Sequence, residues 1–251
     1  MTRPAALHPF EPRTYRRRCR IPELTAYRVV VKETDLWIHA RGDLTALARE
    51  QVLEQRGYLE RWIKQHPEFA ETLNPWTLDE PAPSIVAEMV AAGRTAGTGP
   101  MAAVAGALAE SVAHKLRTRS DAVLVENGGD LYIHYPAPLT IAVAAGPSPL
   151  SMRLGIRLED CCHGRAVCTS SGSVGHSLSL GSADAVCVVA ASGALADAAA
   201  TAIGNRVPSD AEIGAAIEFG RSLAGVEGIL VIRGRASGAW GDLSIVPLKK
   251  T

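Results

Sequence analysis

Apolar residues on both sides of a short polar stretch predict a β-hairpin near residue 30. Val29, Val30 and Val31 are followed by the polar residues 33–35 and then by the apolar residues 36–38. β-Branched and aromatic residues flanking a short polar stretch are typical of two antiparallel strands joined by a turn. The sequence therefore predicts a hairpin over residues 27–40.

Apolar residues at helical spacing predict five helices further along the chain. Asp43 is a candidate N-cap for a long helix that Pro67 limits, because proline disfavours continuation of a helix. The other predicted helices cover about residues 85–93, 99–116 and 194–203, and the last one starts at residues 208–210. The helix over residues 99–116 is very apolar, so we expect it to be buried.

The segments between these helices predict an antiparallel sheet. Candidate strands cover residues 122–126, 131–135, 140–144, 153–158, 165–169, 184–190, 228–233 and 243–247. Helices followed by antiparallel strands occur twice, which indicates an α+β fold built from a duplicated unit, with helices packed on one face of the sheet. We expect residues 1–26 to form an N-terminal arm and residues 27–251 to form a single domain.

Charge and cysteine usage narrow the possible functions. The 26 Lys and Arg residues balance the 26 Asp and Glu residues, so overall charge gives no indication of a nucleic-acid or anionic-membrane partner. The five cysteines are odd in number, which disfavours a secreted disulfide framework. With no secretory signal and no apolar run of membrane-spanning length, we expect a cytoplasmic protein. We expect residues 13–20 to form a solvated arm.

Asp197 and Thr201 are the first candidate site. They lie four residues apart in a predicted alanine-rich helix, so both project from the same face. Carboxylate and hydroxyl oxygens suit Mg²⁺, which completes its shell with water and phosphate oxygens. The spacing equally allows a purely structural role. In that role the carboxylate of Asp197 in the first helical turn interacts favourably with the helix dipole, and the hydroxyl of Thr201 bonds back to a helix carbonyl.

Two glycine-containing segments could approach a ligand closely. The run Glu126-Asn127-Gly128-Gly129-Asp130 lies between two predicted strands, where a glycine pair allows positive φ. An ordinary hairpin turn would explain this run equally well. Gly99 precedes the apolar helix, where free backbone N–H groups could meet an anion.

A third candidate is the loop after the strand that ends near residue 169. Residues Cys168-Thr169-Ser170-Ser171-Gly172-Ser173-Val174-Gly175-His176 combine a thiol, hydroxyls and an imidazole. His176 is a candidate general base, because an imidazole titrates near neutral pH. A flexible loop with a solvated histidine is the structural alternative.

Taken in order, these segments resemble the ApbE superfamily, and more closely a short, uncharacterised bacterial and archaeal branch of it. The resemblance rests on Gly99-Pro100-Met101-Ala102-Ala103-Val104-Ala105-Gly106, on Glu126-Asn127-Gly128-Gly129-Asp130, on Cys168-Thr169-Ser170-Ser171-Gly172 with Gly175-His176-Ser177, and on Ala196-Asp197 with Thr201. The family fold that it implies is a duplicated, T-fold-like α+β unit.

ApbE proteins transfer FMN from FAD to a threonine of a target protein with Mg²⁺, and some relatives hydrolyse FAD to AMP and FMN. The resemblance implies that Asp197 and Thr201 bind the metal and that His176 is catalytic. It further implies that FAD or a related nucleotide binds at Gly99, Asn127, Gly128, Gly129, Asp130, Thr169, Ser170, Ser171 and Gly172. Two features depart from the family pattern: residues 102–104 lack a lysine, and Leu178-Ser179 stands where the family has Asp-Pro.

Three functional hypotheses follow. The first is a Mg²⁺-dependent enzyme acting on FAD or a related pyrophosphate-containing nucleotide. The second is a non-catalytic module that binds a flavin, a pterin or another flat heterocycle, consistent with the two departures. The third is a hydrolase in which Cys168, or one of the serines Ser170 and Ser171, is the nucleophile and His176 the base. The expected partner is in each case a small molecule, and a homodimer stays open.

Overall fold

The computed structural model describes residue 16 and residues 21–171, 181–241 and 243–248. The α-helices are α1 (Thr45–Gln65), α2 (Glu68–Glu71), α3 (Ser84–Ala96), α4 (Val104–Leu116), α5 (Gly193–Gly204) and α6 (Ile213–Arg221). The strands are β1 (Thr25–Val31), β2 (Thr34–Ala40), β3 (Val123–Asn127), β4 (Asp130–Tyr135), β5 (Leu139–Ala142), β6 (Leu154–Leu158), β7 (Cys161–Ser170), β8 (Ala185–Ala190), β9 (Val226–Arg233), β10 (Ala236–Gly241) and β11 (Ser244–Pro247). The 3-10 turns Pro100–Ala103 and Asp210–Glu212 precede α4 and α6.

The predicted hairpin is present as β1 and β2. The two strands pair antiparallel, and Val29 lies opposite Leu36. Along β1, buried residues alternate with exposed ones, as expected for a strand that covers a core with one face. Lys32 adopts a positive φ of 52° in the turn between the strands.

The main sheet has eight strands in the order β1-β2-β3-β4-β7-β8-β9-β10, and every neighbouring pair is antiparallel. Each half of this sheet is a hairpin, a group of helices and a second hairpin. The first half inserts α1 to α4 between β2 and β3, and the second inserts α5 and α6 between β8 and β9. The predicted α+β duplication is therefore confirmed.

The two faces of the main sheet contribute to two hydrophobic cores. On β3, Val125 belongs to the core shared with the helices, whereas Leu124 belongs to a second core on the opposite face. Ile156 and Leu158 of β6 contribute to this second core, and β6 lies in a three-stranded sheet of order β11-β6-β5.

Helix boundaries differ from the prediction at two places. Helix α3 continues to Ala96, past the predicted end near Gly93, and stops where Gly97 adopts a left-handed φ of 74°. The helix expected from Gly99 begins as a 3-10 turn and becomes α-helical only at Val104. Strand β10 was not predicted, because its sequence ASGAWG contains no β-branched residue.

The expectation of a solvated arm is wrong at Arg16. Its side chain is only 6% exposed, and its guanidinium group pairs with two buried carboxylates. Arg16 Nη1 lies 2.9 Å from Asp35 Oδ1, and Arg16 Nε lies 2.5 Å from Glu126 Oε2. A cluster of basic residues cannot indicate in advance which member finds buried acids.

Candidate functional site

Helices α4 and α5 cross in backbone contact at Gly106 and Gly193. A Cβ atom on Gly106 would lie 2.1 Å from the carbonyl oxygen of Gly193, so only glycine permits this approach. Gly106 lies in the first turn of α4, where backbone N–H groups have no partner within the helix. Asp197 of α5 meets that need: its Oδ2 accepts a hydrogen bond of 2.9 Å from Gly106 N–H.

The predicted glycine turn joins β3 to β4 and contacts the same helix. Gly128 and Gly129 have φ values of 74° and 112°, so the sequence expectation of positive φ is confirmed. Asn127 donates a 3.1 Å hydrogen bond from Nδ2 to the carbonyl oxygen of Ala105. Glu126 Oε1 accepts a 2.9 Å hydrogen bond from Gly129 N–H, which ties the turn to the Arg16 ion pairs.

Asp130 links this turn to the end of β7. Its Oδ1 accepts a 3.1 Å hydrogen bond from Thr169 N–H, and its side chain is buried. Burial raises the pKa of Asp130 well above its ordinary value, and the nearby negative charge of Asp197 raises it further. Burial also raises the pKa of Asp197 to about 7, although the N–H groups of Gly106 and Ala105 hold it down.

A close pair of acids is a suitable environment for a cation. Burial raises the pKa of both carboxyl groups, and the charge of Asp197 also raises that of Asp130, so a positive ion near them would favour their ionised forms. Thr201 is buried one helical turn beyond Asp197, and its hydroxyl makes no hydrogen bond to another described residue. The structural alternative, in which Thr201 bonds back to a helix carbonyl, is therefore not what the described residues show.

The available oxygen donors fit Mg²⁺ better than a transition metal. No group of three or more His, Cys, Asp or Glu side chains among the described residues could hold a metal. Mg²⁺ does not require such a group, since it is usually held by one or two carboxylates together with water and phosphate oxygens. Asp197, Thr201 and the neighbouring Asp130 provide donors of that kind.

Ser170 lies at the end of β7, next to Thr169. Ser170 is buried, and its hydroxyl has no hydrogen-bond partner among the residues that the structure describes. Gly172 and His176 lie outside the described residues, and their predicted roles stay predictions.

Gly99, which precedes the 3-10 turn before α4, packs tightly, because a Cβ there would lie 1.9 Å from the carbonyl oxygen of Thr72.

Cys168 does not have the properties of a nucleophile. The thiol is fully buried, and its Sγ lies 3.6 Å from the carbonyl oxygen of Gly193. Burial raises the pKa of Cys168 well above its ordinary value, and the charges of Asp130 and Asp197 add to the effect. Because the thiolate is the reactive form, these surroundings argue against the Cys168 hydrolase hypothesis.

Sequence reasoning missed the connection from Arg16 to the glycine turn. A signal for it was present in β3, where all five residues are buried although one is Glu126. A buried carboxylate normally needs a cationic partner. The pattern could therefore have predicted that Glu126 has a cationic partner, but not which of the arginines it is.

Comparison with known proteins places the chain in a family. The model of the family described as "AbpE bacteria" matches residues 18–219. The chain belongs to this family. Members of the curated UPF0280 group are similar as well: the protein of Methanococcus vannielii is 37% identical over 88% of this chain and 92% of its own length. The protein of Methanosarcina acetivorans is 39% identical over 78% of each chain.

Solved structures confirm the ApbE-like fold of this family member. The apo form of the flavinyl transferase ApbE of Pseudomonas stutzeri matches with a TM-score of 0.54 and 16% identity, over 86% of this chain and 94% of that one. The flavin transferase ApbE of Vibrio cholerae matches with a TM-score of 0.52 and 14% identity, over 90% and 97%. Within the described part of the chain, no helix is long and apolar enough to cross a membrane.

Proposed function

We propose that the protein is a Mg²⁺-dependent enzyme that acts on FAD or a related pyrophosphate-containing nucleotide, by group transfer or hydrolysis. The observation that carries the proposal is the meeting of segments distant in sequence at the crossing of α4 and α5. Gly106 bonds to Asp197, Asn127 bonds to Ala105, and Thr169 bonds to Asp130. The two similar solved structures are flavin transferases, which supplies the substrate class that the shared fold alone would not supply.

Each segment has a distinct role in this proposal. Asp197 and Thr201 would hold Mg²⁺, which neutralises negative charge on the phosphate oxygens when it is bound. The turn at Gly128 and Gly129 presents a backbone without side chains, so a nucleotide can approach it closely. The hydroxyl of Ser170, which has no partner among the described residues, would donate a hydrogen bond to the ligand.

The proposed reaction breaks the phosphoanhydride bond of FAD and forms either a phosphoester with an acceptor hydroxyl or, with water, the free phosphate of FMN. An oxygen of water or of an acceptor hydroxyl forms a bond to the FMN phosphorus, and the pyrophosphate P–O bond to AMP breaks. His176 accepts the proton of the attacking oxygen, and AMP leaves with the electron pair of the broken bond. Hydrolysis and transfer differ only in the attacking hydroxyl group.

The direct test is incubation of the protein with FAD and Mg²⁺ followed by chromatography for AMP and FMN. We expect AMP to form, and we expect Asp197→Asn to reduce its rate by about 100-fold or more, because the ion-binding carboxylate is lost. Asp79→Asn is the matched control, since Asp79 is exposed and lies outside the site. FAD binding without AMP formation would contradict catalysis and favour the non-catalytic binding module.

A further inference from the structure

A polar cleft adjoins the crossing of α4 and α5 through Glu110, which bonds to Gly193 N–H. It has a volume of about 470 Å³ and is bordered by α1, α3, α4 and the residue before α5. None of its lining residues belongs to the four segments that carry the ApbE resemblance. Its volume is within the range of small-molecule sites. Ile85 is the only strongly apolar residue in the lining, so a flavin ring would find little apolar surface there.

The side chain of Gln55 faces this cleft and makes no hydrogen bond within the described part of the chain. The residue as a whole is only 8% exposed. One helical turn away, Gln51 also lines the cleft and donates a 3.0 Å hydrogen bond to Ser111 Oγ. Neither amide atom of Gln55 is sealed from the cleft, so both are available to hydrogen-bond a ligand there.

Two carboxylates give the cleft its charge. Glu110 is held by Gly193 N–H at 2.8 Å and lies beside His114. Glu88 forms no ion pair with a described residue. The Glu88 side chain is exposed overall, but partial burial of its carboxyl group and then the charge of Glu110 raise its pKa. A cation between these acids would relieve their repulsion.

We propose that this cleft binds a small organic cation, such as an alkylammonium or alkylguanidinium compound, between Glu88 and Glu110 and against the amide of Gln55. A cation with several N–H groups suits this lining, because the two acids and the amide belong to three different helices, α3, α4 and α1. The N–H groups of an organic cation can reach acids and amides spread across the cleft. Lys115 also lines the cleft and disfavours cations that place charge near it.

Calorimetry with agmatine tests the proposal, with urea as the neutral probe and glutarate as the anionic one. We expect saturable binding of agmatine and none of urea or glutarate. Glu88→Gln should weaken agmatine binding about tenfold or more, because the unpaired carboxylate is lost. Glu54→Gln on the exposed face of α1 is the control and should bind normally. Equal binding by Glu88→Gln, or equal binding of glutarate, would overturn the proposal.

Gln55→Leu provides a second and independent measurement. If Gln55 serves a ligand, the apolar variant should weaken agmatine binding, because the amide that faces the cleft is lost, and should not lower the melting temperature of the free protein, because no hydrogen bond to a described residue is lost. If Gln55 is only a packing residue, the variant should leave binding unchanged and lower the melting temperature. The second result would refute the role assigned to Gln55. Neither measurement depends on the FAD reaction.

Discussion

At the scale of single residues, the main feature is a pair of acids that the fold holds close together. Asp197 meets an unpaired N–H group of α4, and Asp130 meets an N–H group of β7. Each bond explains why one carboxyl group is present, but not why two lie near each other. Mutual repulsion and burial are costs to folding that a bound cation would offset.

This arrangement predicts an unusual dependence of stability on pH. Because the folded-state pKa of Asp197 is raised to about 7, its contribution to stability is greatest at low pH and is lost as the pH rises through that value. Asp197→Asn keeps an acceptor for Gly106 but carries no charge. As the pH rises from 4 to 7, the free energy of unfolding of Asp197→Asn should therefore increase by about 2–4 kcal/mol relative to that of the wild type.

Urea denaturation of both proteins across this pH range measures the difference. Above pH 7 the two curves should run parallel, and Mg²⁺ should reduce the gap by stabilising the wild type. Curves that stay parallel from pH 4 upwards would show that Asp197 titrates normally in the folded protein.

Arg16 gives a second prediction at this scale. Arg16→Ala would remove the guanidinium group that Glu126 and Asp35 share, although Asp35 keeps its ion pair with Arg28, and the loss should cost about 3 kcal/mol of unfolding free energy. Arg16→Lys should lose less unfolding free energy, because lysine keeps the positive charge although it lacks the several N–H donors of the guanidinium group. Thermal and urea unfolding measure both variants beside Arg153→Ala, an exposed control. A loss no larger than in the control would contradict the ion-pair network.

At the scale of elements, the sequence predicted most helices and strands because their apolar spacing is strong. The hairpin of β1 and β2 and the long helix α1 are examples. Strand β10 was missed, because pairing with β9 determines it and local preference does not. Asp43 does bond to the N–H of Thr45, but the residue at the cap of α1 is Leu44.

The crossing of α4 and α5 predicts a glycine requirement. Helix propensity alone favours Gly106→Ala by about 1 kcal/mol, but the added Cβ would meet the backbone of Gly193 at 2.1 Å. Backbone cannot rotate away as a side chain can, so we expect a net loss of about 2 kcal/mol or more. Gly57→Ala in α1 is the matched control: its Cβ meets nothing within 4 Å, and it should stabilise by about 0.5–1 kcal/mol.

Chemical denaturation of both glycine variants separates the two effects. If Gly106→Ala were as stable as Gly57→Ala, the close approach of α4 and α5 would not be needed. If it also lost the FAD reaction, the crossing would matter for the position of Asp197 as well as for packing.

At the scale of the whole molecule, the sequence predicted which segments matter better than how they meet. The order of the glycine turn, the Thr169-Ser170 strand end and Asp197 was sufficient for the ApbE resemblance. The bond from Asn127 to Ala105 and the ion pairs of Arg16 depend on contacts between distant parts of the chain. Local spacing carries no information on such contacts, so only the three-dimensional structure supplies them.

The crossing of α4 and α5 also joins the two halves of the duplication, since α4 belongs to the first half and α5 to the second. A ligand bound at Asp197 and the glycine turn would contact both halves and would hold them together. A ligand that binds only the folded state raises the free energy of unfolding. Because this ligand would contact both halves, it would couple the local unfolding of one half to that of the other. Amide hydrogen exchange in α4 and α5 would then slow together when ligand is added, although the two helices are far apart in sequence.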